Sequence, residues 1–600
     1  MCFYFGMPPA SLRQLNDPSR VWIPGIIQSI ATFLPPNEVA GTLRLVNKDT
    51  AKQLVEFKTL QLSRPSPRHA FSHRWGVPAA FRELDHISQV RLQCLTAASG
   101  SIENMEVVLM SSAGTFSPLA AGALLGTAAA AGQLEMCQWL RAHGCGWGNA
   151  LSKASKAGHL RVCQWMLASG CPCDAAAVYA AERGGHEDMS AWLLEQRGEV
   201  DLCLKVDLVK LAEAAAEGFS LAVLQRRHGP IMQVPFGSML YWDEHTGARI
   251  IAAAACSPTP DWHAKVEWLE KLFDLHHRPV EPCVAVAGRL NDDGDATSRL
   301  KWLHDRGYPL SERAAAEAAA CGNLSALRYI TQRGGPGSRS PGYLVASAAL
   351  GRHTAVLEYL HTACGWEVGQ GHRGIRGLVG VGALDGHVPL VLWAADALGV
   401  GLAGVGGELF DLAALGGSLE MMSWLRQRGC GWGHVAVSGT ALFGSEAALE
   451  WLADQGCPFP EHDRQLNKLI PCIRNNSRIA RGCWSLLYDS QTNGKPYVFA
   501  AKRCDPAIIR CLHRLGCPWS AQTLVDCIRN SLPVPMMHLM LELGCPVDWY
   551  EAAQAAATTG RDGEYRRELL TWLREEQQKQ RLAQGLATAA AAAEAEAAAR

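Results

Sequence analysis

"GHLRVCQWMLASGCPCD", residues 158–174, places three cysteines and a histidine within a few turns of chain. Taken alone, the stretch suggests a metal or redox site. Its copies elsewhere change that reading. "AAAAGQLEMCQWLRAHGCGW" begins at Ala128, "ASKAGHLRVCQWMLASGCPC" at Ala154, "AALGGSLEMMSWLRQRGCGW" at Ala413 and "ALFGSEAALEWLADQGCPF" at Ala441. Each has a run of small residues, a Gly, seven residues to an aromatic followed by Leu or Met, then Gly-Cys-Gly or Gly-Cys-Pro. Self-similarity at a roughly constant period is the signature of a repeat architecture and takes precedence over any local motif.

The aromatic anchors give the period. Trp139 to Trp165 is 26 residues, Trp165 to Trp192 is 27, and Trp268 to Trp302 is 34. Trp302 to Tyr329 is 27, Trp393 to Trp424 is 31, and Trp424 to Trp451 is 27. Weaker copies fall at Gln225, Tyr359, Trp484, Cys511, His538 and Trp572. This spacing suits a helix-turn-helix unit. The first helix is Ala-rich ("NALSKASKAG" from Asn149), and Gly158 stops it as Gly does at a helix C-terminus. In the second, Leu160, Cys163 and Met166 with Val162, Trp165 and Leu167 form a broad apolar stripe. Gly170 ends that helix and Pro172 prevents its resumption. One pair cannot bury its apolar face alone, but stacked neighbours can. The sequence predicts an all-α helical-hairpin solenoid over 90–575 with one continuous core and negligible sheet.

The pattern resembles the ankyrin repeat: a first helix in the place of T-P-L-H-x-A, a G-H-L turn, an apolar second helix and a closing Gly. The resemblance is specific at 133–147, 159–174, 186–198, 418–432 and 445–459. It departs in two respects. The T-P-L-H tetrapeptide is absent, and the commonest period is shorter than the usual 33. Little room is left for a hairpin finger between helix pairs.

Cys145, Cys171, Cys430, Cys457, Cys517 and Cys545 all follow the Gly that ends a second helix. A zinc site needs four ligands converging on one point, whereas a repeat spreads equivalent residues along a line. Packed helices lie about 8–10 Å apart, beyond the roughly 7 Å Cα separation a disulfide tolerates. The expectation is a column of small, buried, reduced thiols. A metal reading survives only for Cys171 and Cys173 with Cys163, and no second CxxC pair completes it. Trp139, Trp165, Trp192, Trp268, Trp302, Trp393, Trp424, Trp451 and Trp572 are expected to form one column of inter-repeat core. His159, His186 and His387 suit hydrogen bonds between turn and helix.

Residues 21–54, "VWIPGIIQSIATFLPPNEVAGTLRLVNKDTAKQL", lack the repeat frame. Pro24 can open a helix, Ile26, Ile27, Ile30, Phe33 and Leu34 give it a stripe, and Pro35-Pro36 break it. Asn37 is placed to cap a second helix from Glu38, with Val39, Leu43 and Val46 as its apolar face. This segment resembles an F-box. Ile23-Pro24 stand for the opening Leu-Pro, and Ile30, Phe33, Leu34, Pro36, Glu38, Val39, Val46, Asn47 and Lys48 follow in order. The Trp that often follows is missing, with Thr50 near its place. The resemblance implies Skp1 as a partner, contacted through Ile23, Pro24, Ile30, Phe33, Leu34, Pro36, Val39 and Val46. The competing reading is a helical cap on the first repeat, which any solenoid needs.

The remaining organisation is an N-terminal tail (1–20), the F-box-like module (21–58), a Pro/Ser/Arg-rich linker (59–89), irregular insertions near 228–262 and 460–503, and an Ala-rich tail (576–600). Lys plus Arg is 56 and Asp plus Glu 57, a formal net charge of -1, so nucleic acid is not an expected partner. The N-terminus carries no secretory pattern, which makes free thiols the default for the 21 cysteines and the cytoplasm or nucleus the expected place. The uncharged run through 107–134 could be mistaken for a membrane span, but Pro118 splits it. Gly399–Gly404 matches G-x-G-x-x-G without a preceding strand. Asn291–Asp295, "NDDGD", lacks the Glu that closes a calcium loop, and "HEDMS" at His186 is not H-E-x-x-H. No catalytic constellation, cofactor or metal is expected. The function implied is protein binding: a substrate-recruiting F-box adaptor of a cullin-type ubiquitin ligase, with the repeats holding a target protein. A plain ankyrin-repeat scaffold is the alternative. A sphingomyelinase-related lipid phosphodiesterase, whose metal carboxylates are not found, is the remote one.

Overall fold

In the computed structural model the described residues are 24–111, 116, 118–197, 205–232, 244–273, 281–333, 341–362, 379–380, 382–398, 406–433, 436–459, 496–520, 522–558 and 565–582. Among them there is no strand, and the protein is all-α. They fall into two compact units: Met1–Phe81 with Gln89–Thr115 and Ala120–Cys173, and Arg82–Ser88 with Phe116–Leu119 and Asp174–Arg600.

The described residues begin with three short α-helices, α1 (Pro24–Phe33), α2 (Pro36–Gly41) and α3 (Lys48–Gln53). Next come α4 (Arg68–Trp75), α5 (Pro78–Arg82), α6 (His86–Ser99) and α7 (Ile102–Ser111). The clearest repeat pairs of the first unit are α8 (Pro118–Ala130) with α9 (Leu134–Ala142), and α10 (Ala150–Ala157) with α11 (Leu160–Ala168). The second unit continues with α12 (Ala175–Arg183), α13 (Glu187–Arg197), α14 (Lys205–Gly218), α15 (Leu221–Met232), α16 (Glu244–Ala255) and α17 (Trp262–Phe273). Then follow α18 (Glu281–Arg289), α19 (Asp293–Asp305), α20 (Glu312–Cys321), α21 (Leu324–Gln332), α22 (Pro341–Gly351), α23 (Thr354–Thr362) and α24 (Val388–Leu398). The last are α25 (Gly406–Leu415), α26 (Leu419–Gln427), α27 (Ala436–Phe443), α28 (Glu446–Asp454), α29 (Pro496–Lys502), α30 (Pro506–Arg514), α31 (Thr523–Arg529), α32 (Val534–Glu542) and α33 (Trp549–Thr558), before a helix over 565–582.

In the second unit the first helices pack in series, α12 on α14, α14 on α16, and so to α22; α25, α27, α29, α31 and α33 form the same row. Second helices form a parallel row, α15 on α17, α19 on α21, α28 on α30 and α30 on α32. This serial stacking is the repeat architecture that the spacing predicts. Ala-rich first helices let neighbours approach closely: Ala314, Ala315, Ala316, Ala318 and Ala319 of α20 are all buried. One buried apolar cluster runs from Val209 to Leu573.

The Gly-Cys pair has a precise backbone meaning. Gly144, at φ +82°, is the left-handed residue after α9, and the Cys145 amide donates to Leu140 O at 3.1 Å. This is the Schellman turn, in which the residue after the glycine packs against the last apolar residues of the helix. Cys171 to Met166, Cys430 to Leu425, Cys457 to Leu452, Cys517 to Leu512 and Cys545 to Met540 repeat the bond at 2.9–3.1 Å.

Three expectations are corrected. The array expected as one body over 90–575 divides after Cys173, and the long apolar cluster lies within the second unit. The stretch expected as a linker, 59–89, holds α4, α5 and the start of α6, because Pro67 and Val77-Pro78 open helices instead of merely interrupting chain. Of the insertions, 233–243 and 460–495 lie outside the described residues, while α16 and α29 occupy 244–255 and 496–502.

Candidate binding surfaces

The N-terminal module has its own small core. Ile27, Ala31, Val39, Leu43 and Leu54 are buried together, with Ile30 and Phe57 packed against them. Its other apolar side chains point outward: Phe33 is 87% exposed, Leu45 62%, and Ile26, Leu34 and Val46 are exposed as well. Val39, expected to touch a partner, is 0% exposed and belongs to the internal core. Ile30 is half-buried, Pro36 is exposed, and Ile23 lies outside the described residues. Pro24 does open α1. Asn37 does not cap α2, which follows Pro35. Its buried amide instead donates to Gln61 O and Pro65 O at 2.9 Å and accepts from Gln61 N at 2.8 Å, pinning the chain that leads to α4. Asn47 is a true cap, accepting from Thr50 N at 2.8 Å.

The histidines after the turn glycines have structural partners. His159 Nε2 lies 3.1 Å from Ala130 O, a last-turn carbonyl of the preceding first helix. His387 Nδ1 accepts from Leu390 N at 3.1 Å. Other residue types do the same work. Gln133 donates to Ala98 O at 3.2 Å, and Asn323 to Ala287 O and Leu290 O at 3.0 and 2.9 Å. Deeper in the second unit the stitch is cationic. Lys265 Nζ, fully buried, donates to Ala216 O and Phe219 O at 2.8 Å and to Ser257 Oγ at 2.5 Å. Burial lowers its pKa to about 8, against the nearby Asp261 charge. Arg299 donates to Ala255 O and Ser257 O at 2.9 and 2.8 Å. Each stitch satisfies carbonyls orphaned at a helix end.

Cys145, Cys171, Cys430, Cys457, Cys517 and Cys545 are buried and in no disulfide. Burial raises the thiols, Cys145 to about 11 and Cys457, Cys517 and Cys545 to about 12. Cys163 meets Ser155 Oγ at 3.6 Å and Cys171 meets Pro172 O at 3.7 Å, and Cys173 lies near enough to Cys163 to help raise its thiol after burial. Glu446, Glu450 and Cys511 are close enough to hold a metal ion. Their carboxylates already pair with arginines, Glu446 with Arg82 at 3.6 Å and Glu450 with Arg514. "NDDGD" is a capping device: Asp292 accepts from Asp295 N at 2.7 Å, and Asp293 accepts from Ser325 N and Ala326 N. Gly399–Gly404 lies outside the described residues.

All nine column tryptophans are half-buried. The residue after each is buried, among them Leu140, Leu269, Leu303 and Leu425 at 0% exposure. That following residue carries the core, and the indoles line its edge, where a large ring with a polar N–H fits. A second aromatic set was missed. Trp147 meets Trp165 edge-on at 5.8 Å and Trp432 meets Trp451 at 6.5 Å. Arg141 lies 4.0 Å over Trp147 and donates to Cys145 O; Arg426 lies 3.8 Å over Trp432 and donates to Cys430 O. The shared string R-x-x-G-C-G-W, at 141–147 and 426–432, is the signal that could have revealed it.

A cleft of about 320 Å³ opens on the first-helix row of the second unit, across α12, α14, α16, α18 and α20. Arginines and glutamates alternate along it over a floor that includes Ala252, Ala253 and Gly288. Arg183 and Arg289 share Glu217 at 3.2 and 3.4 Å, and Arg249 pairs with Glu213 at 2.7 Å. Sequence reasoning missed this cleft.

No family model matches the chain, and no curated protein matches it in sequence. Among solved structures, the pentatricopeptide repeat protein PPR10 from maize aligns with 95% of this chain and 99% of that one, at 13% identity and a TM-score of 0.22. The stacked helix pairs themselves define the class, a helical-repeat protein. Among the described residues no helix is long and apolar enough to cross a membrane.

Proposed function

We propose that this chain is a protein-binding adaptor: the N-terminal module docks Skp1 in F-box fashion, and the ankyrin-like array recruits the target of a cullin-type ubiquitin ligase. The observation that carries the reading is the two-sided module. Its five-residue core is closed, yet Phe33, Leu34, Leu45 and Val46 remain outside. A module that served only as a cap would turn its apolar side chains inward. Large apolar groups left exposed on a module whose own core is already closed point to an interaction surface. No catalytic step is assigned to the chain, because in such a complex the ligase chemistry lies elsewhere. The pairs read as ankyrin-like hairpins without fingers, since only a short turn joins α9 to α10 and α11 to α12.

The scaffold reading has its own support. His69 of α4 reaches Gly41 O of α2 at 2.9 Å, so the module is also tied to the helices that follow it. One experiment separates the two. Skp1 should co-purify with the full chain, and Phe33→Glu should weaken capture at least about a hundredfold, because a charge replaces apolar area buried in the complex. The thermal unfolding of the array should not change. A folded wild-type chain that fails to hold Skp1 at micromolar concentration leaves the scaffold standing and removes the adaptor.

A further inference from the structure

The geometry points to the first-helix cleft as a docking groove for an acidic, extended peptide segment of a partner protein. This rests on the protein-binding reading of the array but not on Skp1. Four arginines and four glutamates line the cleft, so its formal charges balance, yet the depths of the paired groups differ. The side chains of Arg183, Arg249 and Arg289 are 37%, 44% and 56% exposed, while Glu213 and Glu217, which they pair with, are 16% and 21% exposed. Arg313 on α20 is exposed too. The carboxylates are sunk and hold the guanidinium groups by one edge. The other edges face solvent with donors to spare, since each guanidinium carries five N–H groups in a planar fork that matches a carboxylate. Arg183 and Arg289 share the Glu217 carboxylate, so neither guanidinium has that partner to itself.

The floor provides the space. A Cβ built on Gly288 would lie 2.9 Å from Glu317 Oε2, so a side chain there would crowd the base of the cleft. Five first helices take part. Four interhelical steps of about 8–10 Å give a run of about 32–40 Å, which an extended chain covers in about ten to twelve residues. A nucleic acid fits less well. None of the lining residues is aromatic, so bases have no platform, and the sunken glutamates oppose a continuous phosphodiester charge.

The test is fluorescence anisotropy on the full chain with a labelled dodecapeptide of alternating Glu and Gly, at about 50 mM NaCl. Binding in the tens of micromolar is expected, weakening at least about fivefold at about 300 mM NaCl because the contacts are exposed charges. Arg249→Gln with Arg289→Gln should weaken it about tenfold. Arg313→Gln should weaken it about threefold. Circular dichroism confirms the fold of each variant. Equal binding by a Lys-Gly dodecapeptide, or unchanged affinity in folded variants, overturns the proposal. Tighter binding of a twelve-nucleotide oligouridine overturns it in favour of nucleic acid. Skp1 capture by the same variants should be unchanged, so loss of the groove and loss of the adaptor reading are told apart.

Discussion

The repeat pair at 118–145 has two glycine turns that share a backbone and differ in surroundings. After α8, Gly132 sits at φ +75° and Gln133 N donates to Ala128 O at 3.0 Å. After α9, Gly144 sits at φ +82° and Cys145 N donates to Leu140 O at 3.1 Å. The first turn is followed by a polar residue, which begins the second helix and reaches back to the previous pair. The second is followed by a buried cysteine. A Cβ at Gly132 would meet the His159 ring of the next pair at 2.7 Å, whereas one at Gly144 would meet nothing within 4 Å. The left-handed backbone favours glycine at both turns, but only the first is also a contact between repeats. The identity of the next residue reports which side of the stack a turn occupies.

The strongest way to break this comparison is through the thiols. If cysteine is present as a small apolar group, it should not behave as a nucleophile. Burial holds Cys457, Cys517 and Cys545 near 12 against an ordinary 9.0, which at pH 8 lowers the thiolate population about a thousandfold. Iodoacetamide should label these positions at least about a hundredfold more slowly in the native chain than in denaturant. After unfolding without reductant, all 21 cysteines should react. The same shifts act on stability. The folded state keeps protons that the unfolded chain releases above about pH 9, so stability is held below that value and lost as pH climbs toward 12. Fast native labelling of Cys457, or stoichiometric zinc in purified protein, would sink the account.

The glycines sharpen it. Gly144→Ala should cost about 1–2 kcal/mol, the penalty of a left-handed backbone alone. Gly132→Ala should cost more, about 2–4 kcal/mol, because the added methyl also displaces His159 and strains the packing. Urea unfolding followed by circular dichroism measures both. Equal costs would mean that the first turn is not a contact between pairs.

The turns were legible because glycine and its spacing recur in the best-matching copies, although Arg352, Cys504 and Ser531 take the left-handed position in others. The all-α repeat follows from residues such as Gly158 and Gly170 without any long-range information. Three things were not legible. The apolar pattern of 21–54 shows that helices form but not which of two apolar faces turns inward, so Val39 and Phe33 look equivalent until α1 packs on α3. Their recurrence at one position per repeat places the tryptophans in a core column, yet a ring with a polar N–H sits better at the core's edge while Leu or Met fills it. The Arg/Glu cleft joins residues from Arg183 to Glu317, on helices whose sequences share no motif there. Only stacking brings them side by side.

The finest test is the stitch itself. His159 to Ala130 O is an exposed bond, so His159→Ala should cost only about 0.5–1.5 kcal/mol. His159→Asn should recover much of that, since Asn323 at the equivalent place donates to two carbonyls. Truncation also opens the space beside Gly132. In a double-mutant cycle, Gly132→Ala should therefore be less costly beside His159→Ala than alone, with a coupling of about 1 kcal/mol. The backbone part of the Gly132→Ala cost should remain, because no neighbour relieves a left-handed φ. Strict additivity would separate the histidine from the glycine and reduce the turn to a local helix stop. Coupling of the expected sign would make it the point at which one repeat registers on the next.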